Sequence, residues 1–149
     1  MKKLFIYYSL TGNVKYVAEC LEKKGIELRE VKSKEKMPNN NFLRILKGGF
    51  LASINHQADI EPLDINIRKY KEIIIGSPVW NDNFPPAINT VLNTLLLTEK
   101  KVSFILSSGG GKAPKLTNKI NKLYSKSKII VLKNPLKNKE ELNSILENI

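Results

Sequence analysis

The chain has 149 residues, room for one domain over residues 1–149, and its 42% hydrophobic and 26% charged residues are an ordinary globular balance. The longest apolar run, Leu4 to Tyr8, is too short for a membrane span or a secretory signal, which predicts a cytoplasmic protein, and a single cysteine (Cys20) with a single histidine (His56) excludes an internal disulfide and a cysteine–histidine metal cage. Twenty-five Lys and Arg against fourteen Asp and Glu give a net charge of +11, read equally well as a lysine-rich coding bias or as a surface for an acidic partner.

Short apolar runs alternate with amphipathic segments along the whole chain. Lys3 to Tyr8 reads as a buried strand, and Val14, Val17, Ala18 and Leu21 then repeat at helical spacing until Gly25. Ile26 to Val31 alternates apolar with polar, as an edge strand does. Asn41 to Ser53 has room for a helix, and Ile54 to Asn66 reads as an irregular loop. Glu72 to Gly76 is a third strand, apolar on both faces. Pro85 and Pro86 open a helix that continues through Ile88, Val91, Leu92 and Leu95. Val102 to Leu106 is the fourth strand, Leu116, Ile120 and Leu123 mark the next helix, Ile129 to Leu132 is the fifth strand, and Leu142, Ile145, Leu146 and Ile149 lie on a last helix. Strand and helix in regular alternation predict an α/β fold, a parallel sheet with helices on both faces.

Ligands of such sheets sit where strands give way to helices, and three of those junctions here are rich in small polar residues rather than charge. Ser9-Leu10-Thr11-Gly12-Asn13 joins a tight glycine turn to a helix start, whose free N–H groups and dipole favour an anion such as a phosphate. An ordinary capped turn would look the same. Gly76 to Pro86 carries Trp80, the only tryptophan, in a polar loop where no core is expected to bury it and where a flat ring would find a stacking surface. Asp82 in that loop reads as a cap for the helix that follows. Ser107-Ser108-Gly109-Gly110-Gly111-Lys112 offers bare peptide groups to the polar edge of a ring. Together the three describe a mononucleotide with an aromatic head.

On these residues the sequence resembles the flavodoxin family, in particular its short-chain bacterial members. Tyr7 to Asn13 is similar to the family's phosphate loop, Gly76 to Trp80 with Pro85-Pro86 to its ring-stacking loop, Ser107 to Gly111 to the loop beside the ring, and Leu46 to Phe50 to a segment frequent in these proteins. The resemblance implies a three-layer sandwich with a five-stranded sheet in the order 2-1-3-4-5, and FMN held by Ser9, Leu10, Thr11, Gly12, Asn13, Val14, Pro78, Val79, Trp80, Asn81, Asn83, Ser108, Gly109 and Gly110. Two positions depart from the family. Val14 replaces a phosphate-bonding threonine, expected to cost about 1 kcal/mol of binding. The loop after the fourth strand lacks a second stacking ring, for which Phe84 or Phe50 is a substitute unless that face stays open.

The implied function is electron transfer between redox partner proteins, with a backbone carbonyl of the Trp80–Asn83 turn accepting a hydrogen bond from the reduced ring. Nine lysines and no acid between Lys112 and Lys139 make acidic partners the expectation, for a monomer or weak dimer. Aromatic residues stand too loosely along the basic stretches to stack nucleic-acid bases. The alternatives are a nicotinamide-dependent flavin or quinone reductase, whose open ring face a dimer or tetramer would wall, a flavoprotein activator of a metalloenzyme, and a domain that has lost FMN. No catalytic side chain and no metal is called for. Walker, dinucleotide-binding, receiver and low-molecular-weight phosphatase patterns are all broken at required positions.

Overall fold

β1 (Lys2–Tyr7), β3 (Tyr70–Pro78) and β4 (Lys101–Ser108) form the middle of a parallel sheet, with β2 (Glu27–Glu30) and β5 (Lys128–Lys133) at its edges, in the order β2-β1-β3-β4-β5. The computed structural model describes residues 2–149. Helices α1 (Asn13–Glu22), α2 (Asn41–Ser53), α3 (Pro86–Thr94), α4 (Pro114–Leu123) and α5 (Lys139–Leu146) complete the alternation. None of the described helices is long and apolar enough to cross a membrane.

Side chains of a strand alternate between faces, so the sheet feeds two cores. Leu4, Ile6, Ile73, Ile75, Phe104 and Leu106 pack with Ile88 and Val91 of α3 and Leu116 and Ile120 of α4. Phe5, Tyr7, Ile74 and Ile105 pack on the other side with Val14, Val17, Ala18 and Leu21 of α1 and Leu142 and Leu146 of α5. Burying a side chain of this size contributes about 1.5–3 kcal/mol. Cys20 lies at the flank of this second core.

The predicted elements stand where expected, with two extensions. β3 runs on through Ser77-Pro78 and β4 through Ser107-Ser108, because neighbouring strands pair with both segments, Ser77 with Leu106 and Ser108 with Lys133. Asn40 caps α2, its Oδ1 accepting from the N–H groups of Phe42 and Leu43. The stretch after α2 is irregular up to a single 3₁₀ turn at Ile67–Lys69. His56 lies with Nε2 2.8 Å from Oε1 of Glu35.

At the amino edge of the sheet Glu72 is buried between Lys3 and Lys101 and accepts a 2.7 Å hydrogen bond from Ser103. Burial alone would raise its pKa, but the Ser103 hydroxyl and the two ammonium groups outweigh it and hold the carboxyl below its usual 4.5. A depressed carboxylate stabilises the fold above its unfolded pKa and loses that contribution as pH falls through the folded one. Glu72→Gln is therefore expected to cost about 1–2 kcal/mol at neutral pH and progressively less below pH ~4.5, where the wild type protonates too. Urea melts of both proteins at pH 7 and pH 3 measure the two differences.

Candidate functional site

β1 ends at a turn that leaves backbone donors uncommitted. Tyr8 N–H still bonds the Gly76 carbonyl at 3.1 Å, but the N–H groups of Leu10, Thr11, Gly12, Asn13 and Val14 find no partner among the described residues. Gly12 makes this possible at φ 93°, a left-handed conformation in which any other residue would be strained. Side chains brace the turn without consuming those donors. Ser9 Oγ accepts from Lys15 N–H at 3.1 Å, and Asn13 Oδ1 accepts from Leu136 N–H at 3.1 Å, tying the loop to the turn before α5. No acidic residue stands in the first turn of α1, so nothing offsets the positive end of its dipole.

Val14 is buried in the second core, only 2% exposed. Its side chain packs in that core. What Val14 presents is its N–H.

After β3 the chain makes a two-residue turn. Asn81 and Asp82 have φ 48° and 53°, and Trp80 and Asn83 exchange two 3.0 Å backbone hydrogen bonds across them. Paired left-handed residues are the signature of a type I′ turn, which explains the Asn-Asp sequence. Asn83 is buried, and its Nδ2 donates to Asn81 O at 2.8 Å. Trp80, Asn81 and Asn83 carbonyls are thus engaged, leaving that of Asp82 free among the described residues.

Asp82 does not cap the helix that follows it. Its two carboxylate oxygens accept from Lys115 and Leu116 N–H at 3.0 Å, so it caps α4 instead. Left-handed backbone at Asp82 belongs to a turn lying beside α4 rather than leading into α3. With Val79 N–H bonded to Ser107 O at 2.9 Å, this joins the second loop to the third.

Trp80 is half-buried, contrary to the expectation of a polar loop with nothing to cover it. Its ring meets Tyr8 edge-on, centroids 5.8 Å apart, and lies against Gly48 of α2. A Cβ at Gly48 would stand 3.1 Å from Trp80 Cε3, tight enough that the indole would have to give by a few tenths of an ångström. Asn81 Nδ2 donates to Ser53 Oγ at 2.6 Å, a second link from the turn to α2.

Between this turn and α2 lies a cavity of about 610 Å³ lined by Leu10, Thr11, Val79, Trp80 and Asn81 on one side and by Arg44, Ile45, Leu46, Gly48, Gly49, Phe50 and Ser53 on the other. Volumes of this order accept a cofactor-sized molecule. The α2 wall is the part that sequence reasoning left out of the site, although Leu46 to Phe50 had drawn notice as a segment. Of the two substitute rings, Phe84 is buried in the core at 2% exposure, while Phe50 faces the cavity. Pro78 ends β3 beside it. Ser108, Gly109 and Gly110 share the sheet edge but do not line this cavity; Ser108 O accepts from Gly111 and Asn134 N–H, and Gly109 O accepts from Asn134 Nδ2. Among the described residues no three His, Cys, Asp or Glu side chains gather as a metal site would need.

The strand order and the three loops at its carboxyl edge define a flavodoxin-like α/β protein. The model of the NADPH-dependent FMN reductase family matches residues 11–135, and the chain belongs to that family. Among solved structures, the chain is similar to a flavoprotein from Lactobacillus acidophilus in complex with FMN, at 24% identity over 93% of this chain and 97% of that one with a TM-score of 0.73. A Bacteroides eggerthii protein gives 23% identity, 99% and 97% coverage and a TM-score of 0.73. An archaeal flavodoxin gives 15%, 95% and 91%, and 0.53. These likenesses establish the fold. None of the curated proteins matches the sequence.

As the only tryptophan, Trp80 reports on its own packing. Gly48→Val is expected to push the indole off α2, red-shifting its emission and destabilising the fold by about 1–3 kcal/mol. Fluorescence spectra and urea melts of the variant check this; an unshifted spectrum would mean the ring does not rest on Gly48.

Proposed function

We propose that the chain holds FMN and carries electrons between redox proteins. The observation that supports this most strongly is the run of five unpartnered N–H groups from Leu10 to Val14 at the start of α1. An anion at a helix start is held by such donors and by the dipole behind them, with no lysine needed. The Ser9 and Thr11 hydroxyls and the Asn13 amide stand beside them as further donors. The cavity next to the loop suits the ring, with Trp80 and Phe50 as flat neighbours, Leu10 and Val79 as apolar wall, and Asn81 as a polar edge. Asn83 and Pro78 hold the turn that carries Trp80. Gly109 and Gly110, with no atom within 4 Å of where a Cβ would stand, keep the rim beside Ser108 open to a ring edge.

Bound FMN supplies one- and two-electron redox chemistry. The residues here bind it and set its surroundings. The cavity contains no His, Cys, Asp or Glu, and electron transfer asks for none. The unengaged Asp82 carbonyl is the acceptor on the turn available to a ring N–H.

A second reading, reduction of a flavin or quinone by NADPH, is favoured by the family match and by the apolar outer face of α2, which a second copy could cover beside the ring. Steady-state oxidation of NADPH by the FMN-loaded chain separates the two: rapid turnover supports the reductase, and its absence alongside reduction by a protein donor supports the carrier.

Flavin fluorescence quenching tests the binding claim. FMN is expected to bind about 100-fold more tightly than riboflavin, the worth of roughly two charge-assisted hydrogen bonds. Val14→Thr is expected to tighten FMN binding by up to about fivefold, the worth of one hydroxyl hydrogen bond of about 1 kcal/mol. Equal affinities for FMN and riboflavin would contradict the placing of the phosphate.

A further inference from the structure

Helix α2 is built inside out for a molecule that stands alone. Only Gly48 and Ala52 are buried; Leu46 and Phe50 open onto the cavity, and Phe42 and Ile54 stand clear of it. With Leu43 and Ile45 they are between 51% and 72% exposed. The three that do not line the cavity, Phe42, Leu43 and Ile54, leave on the order of 350 Å² bare at about 200 Å² per side chain, a patch of the size that is often functional on a lone molecule.

The surroundings of the patch carry one sign of charge. Lys36, Arg44 and Lys47 flank it, and the stretch from Lys36 to Ala58 contains no acid. Lys119 of α4 reaches its far end, donating to Asn55 Oδ1 at 2.8 Å, and Lys115 opens α4 beside the Trp80 turn. The nearest carboxylates are already engaged. Glu35 is held by His56, Asp59 lies 3.8 Å from Lys34, and Asp82 is spent on the start of α4. An apolar centre with an uncompensated basic rim is the anatomy of a docking surface for a partner of opposite charge.

We infer that this α2 face docks an acidic electron-transfer protein. The identity of the partner's chemistry rests on the FMN reading above; the docking itself does not. A second copy fits less well, because a two-fold contact brings the same basic-rimmed patch against itself, on molecules of net charge +11. An acidic partner removes that repulsion and sits directly over the α2 wall of the cavity. One electron then crosses with no bond made or broken, the partner losing what the bound cofactor gains.

An acidic plant-type [2Fe–2S] ferredoxin serves as the probe, with titration calorimetry on the chain with and without FMN and sedimentation of the chain alone. Binding is expected at about 20 mM salt and at least tenfold weaker at about 200 mM, where screening is nearly complete beyond ~7 Å. Phe42→Ser and Lys47→Glu are each expected to weaken it about tenfold, and Lys126→Glu, away from this face, by less than about twofold. Three results would overturn the inference: no binding at low salt, an equal loss from Lys126→Glu, or a dimer of the chain that Phe42→Ser dissociates. Salt-sensitive binding by a chain that takes up no FMN would support the docking face and contradict the functional reading instead.

Discussion

Five backbone N–H groups without a partner among the described residues, from Leu10 to Val14, are the constraint around which the carboxyl edge of this sheet is arranged. A peptide donor left without a partner is tolerable only where water or a ligand can reach it. Every neighbouring bond respects that. The loop is braced through the Ser9 hydroxyl and the Asn13 carbonyl oxygen, both acting as acceptors toward groups outside the run. Gly12 supplies the left-handed turn that frees the donors, and Val14, two residues on, locks the helix into the core. Rigidity comes from one side of the loop and binding capacity from the other.

The remaining loops are organised by links between elements distant in sequence. Asp82 spends its carboxylate on α4, Asn81 its amide on Ser53, and Trp80 its ring on Gly48. A four-residue turn is thereby fastened to two helices it does not lead into. The sheet itself contributes the Val79–Ser107 bond, so the ends of β3 and β4 move as one. Such cross-links let a tight turn present its single free carbonyl at a fixed place. They also make α2, rather than the glycine-rich loop after β4, the opposite wall of the cavity.

Much of this was legible from residues alone, and for identifiable reasons. Buried parallel strands write themselves as short β-branched runs such as Ile73-Ile74-Ile75, and their helices as apolar residues at 3.6 spacing, so order and boundaries could be read closely. The phosphate-type loop was visible because glycine, hydroxyl and amide side chains stand together before a helical pattern. What could not be read was direction. The apolar residues of α2 predict an inward face by the usual logic, whereas only Gly48 and Ala52 are buried, Trp80 lies against Gly48, and Leu46 and Phe50 open onto the cavity. Asp82 looked like a local cap because sequence shows the following helix and not the adjacent one. Val14, by contrast, was legible as a core position, the first of the Val14, Val17, Ala18 and Leu21 series.

The central claim concerns the five donors, and amide-resolved NMR observes them one by one. In a ¹⁵N–¹H correlation spectrum of labelled protein titrated with FMN, the amide protons of Leu10 through Val14 are expected to move downfield together at the equivalence point, as donors to a phosphate do. Shifts confined to the Trp80 turn and α2, with these five resonances unmoved, would contradict the account.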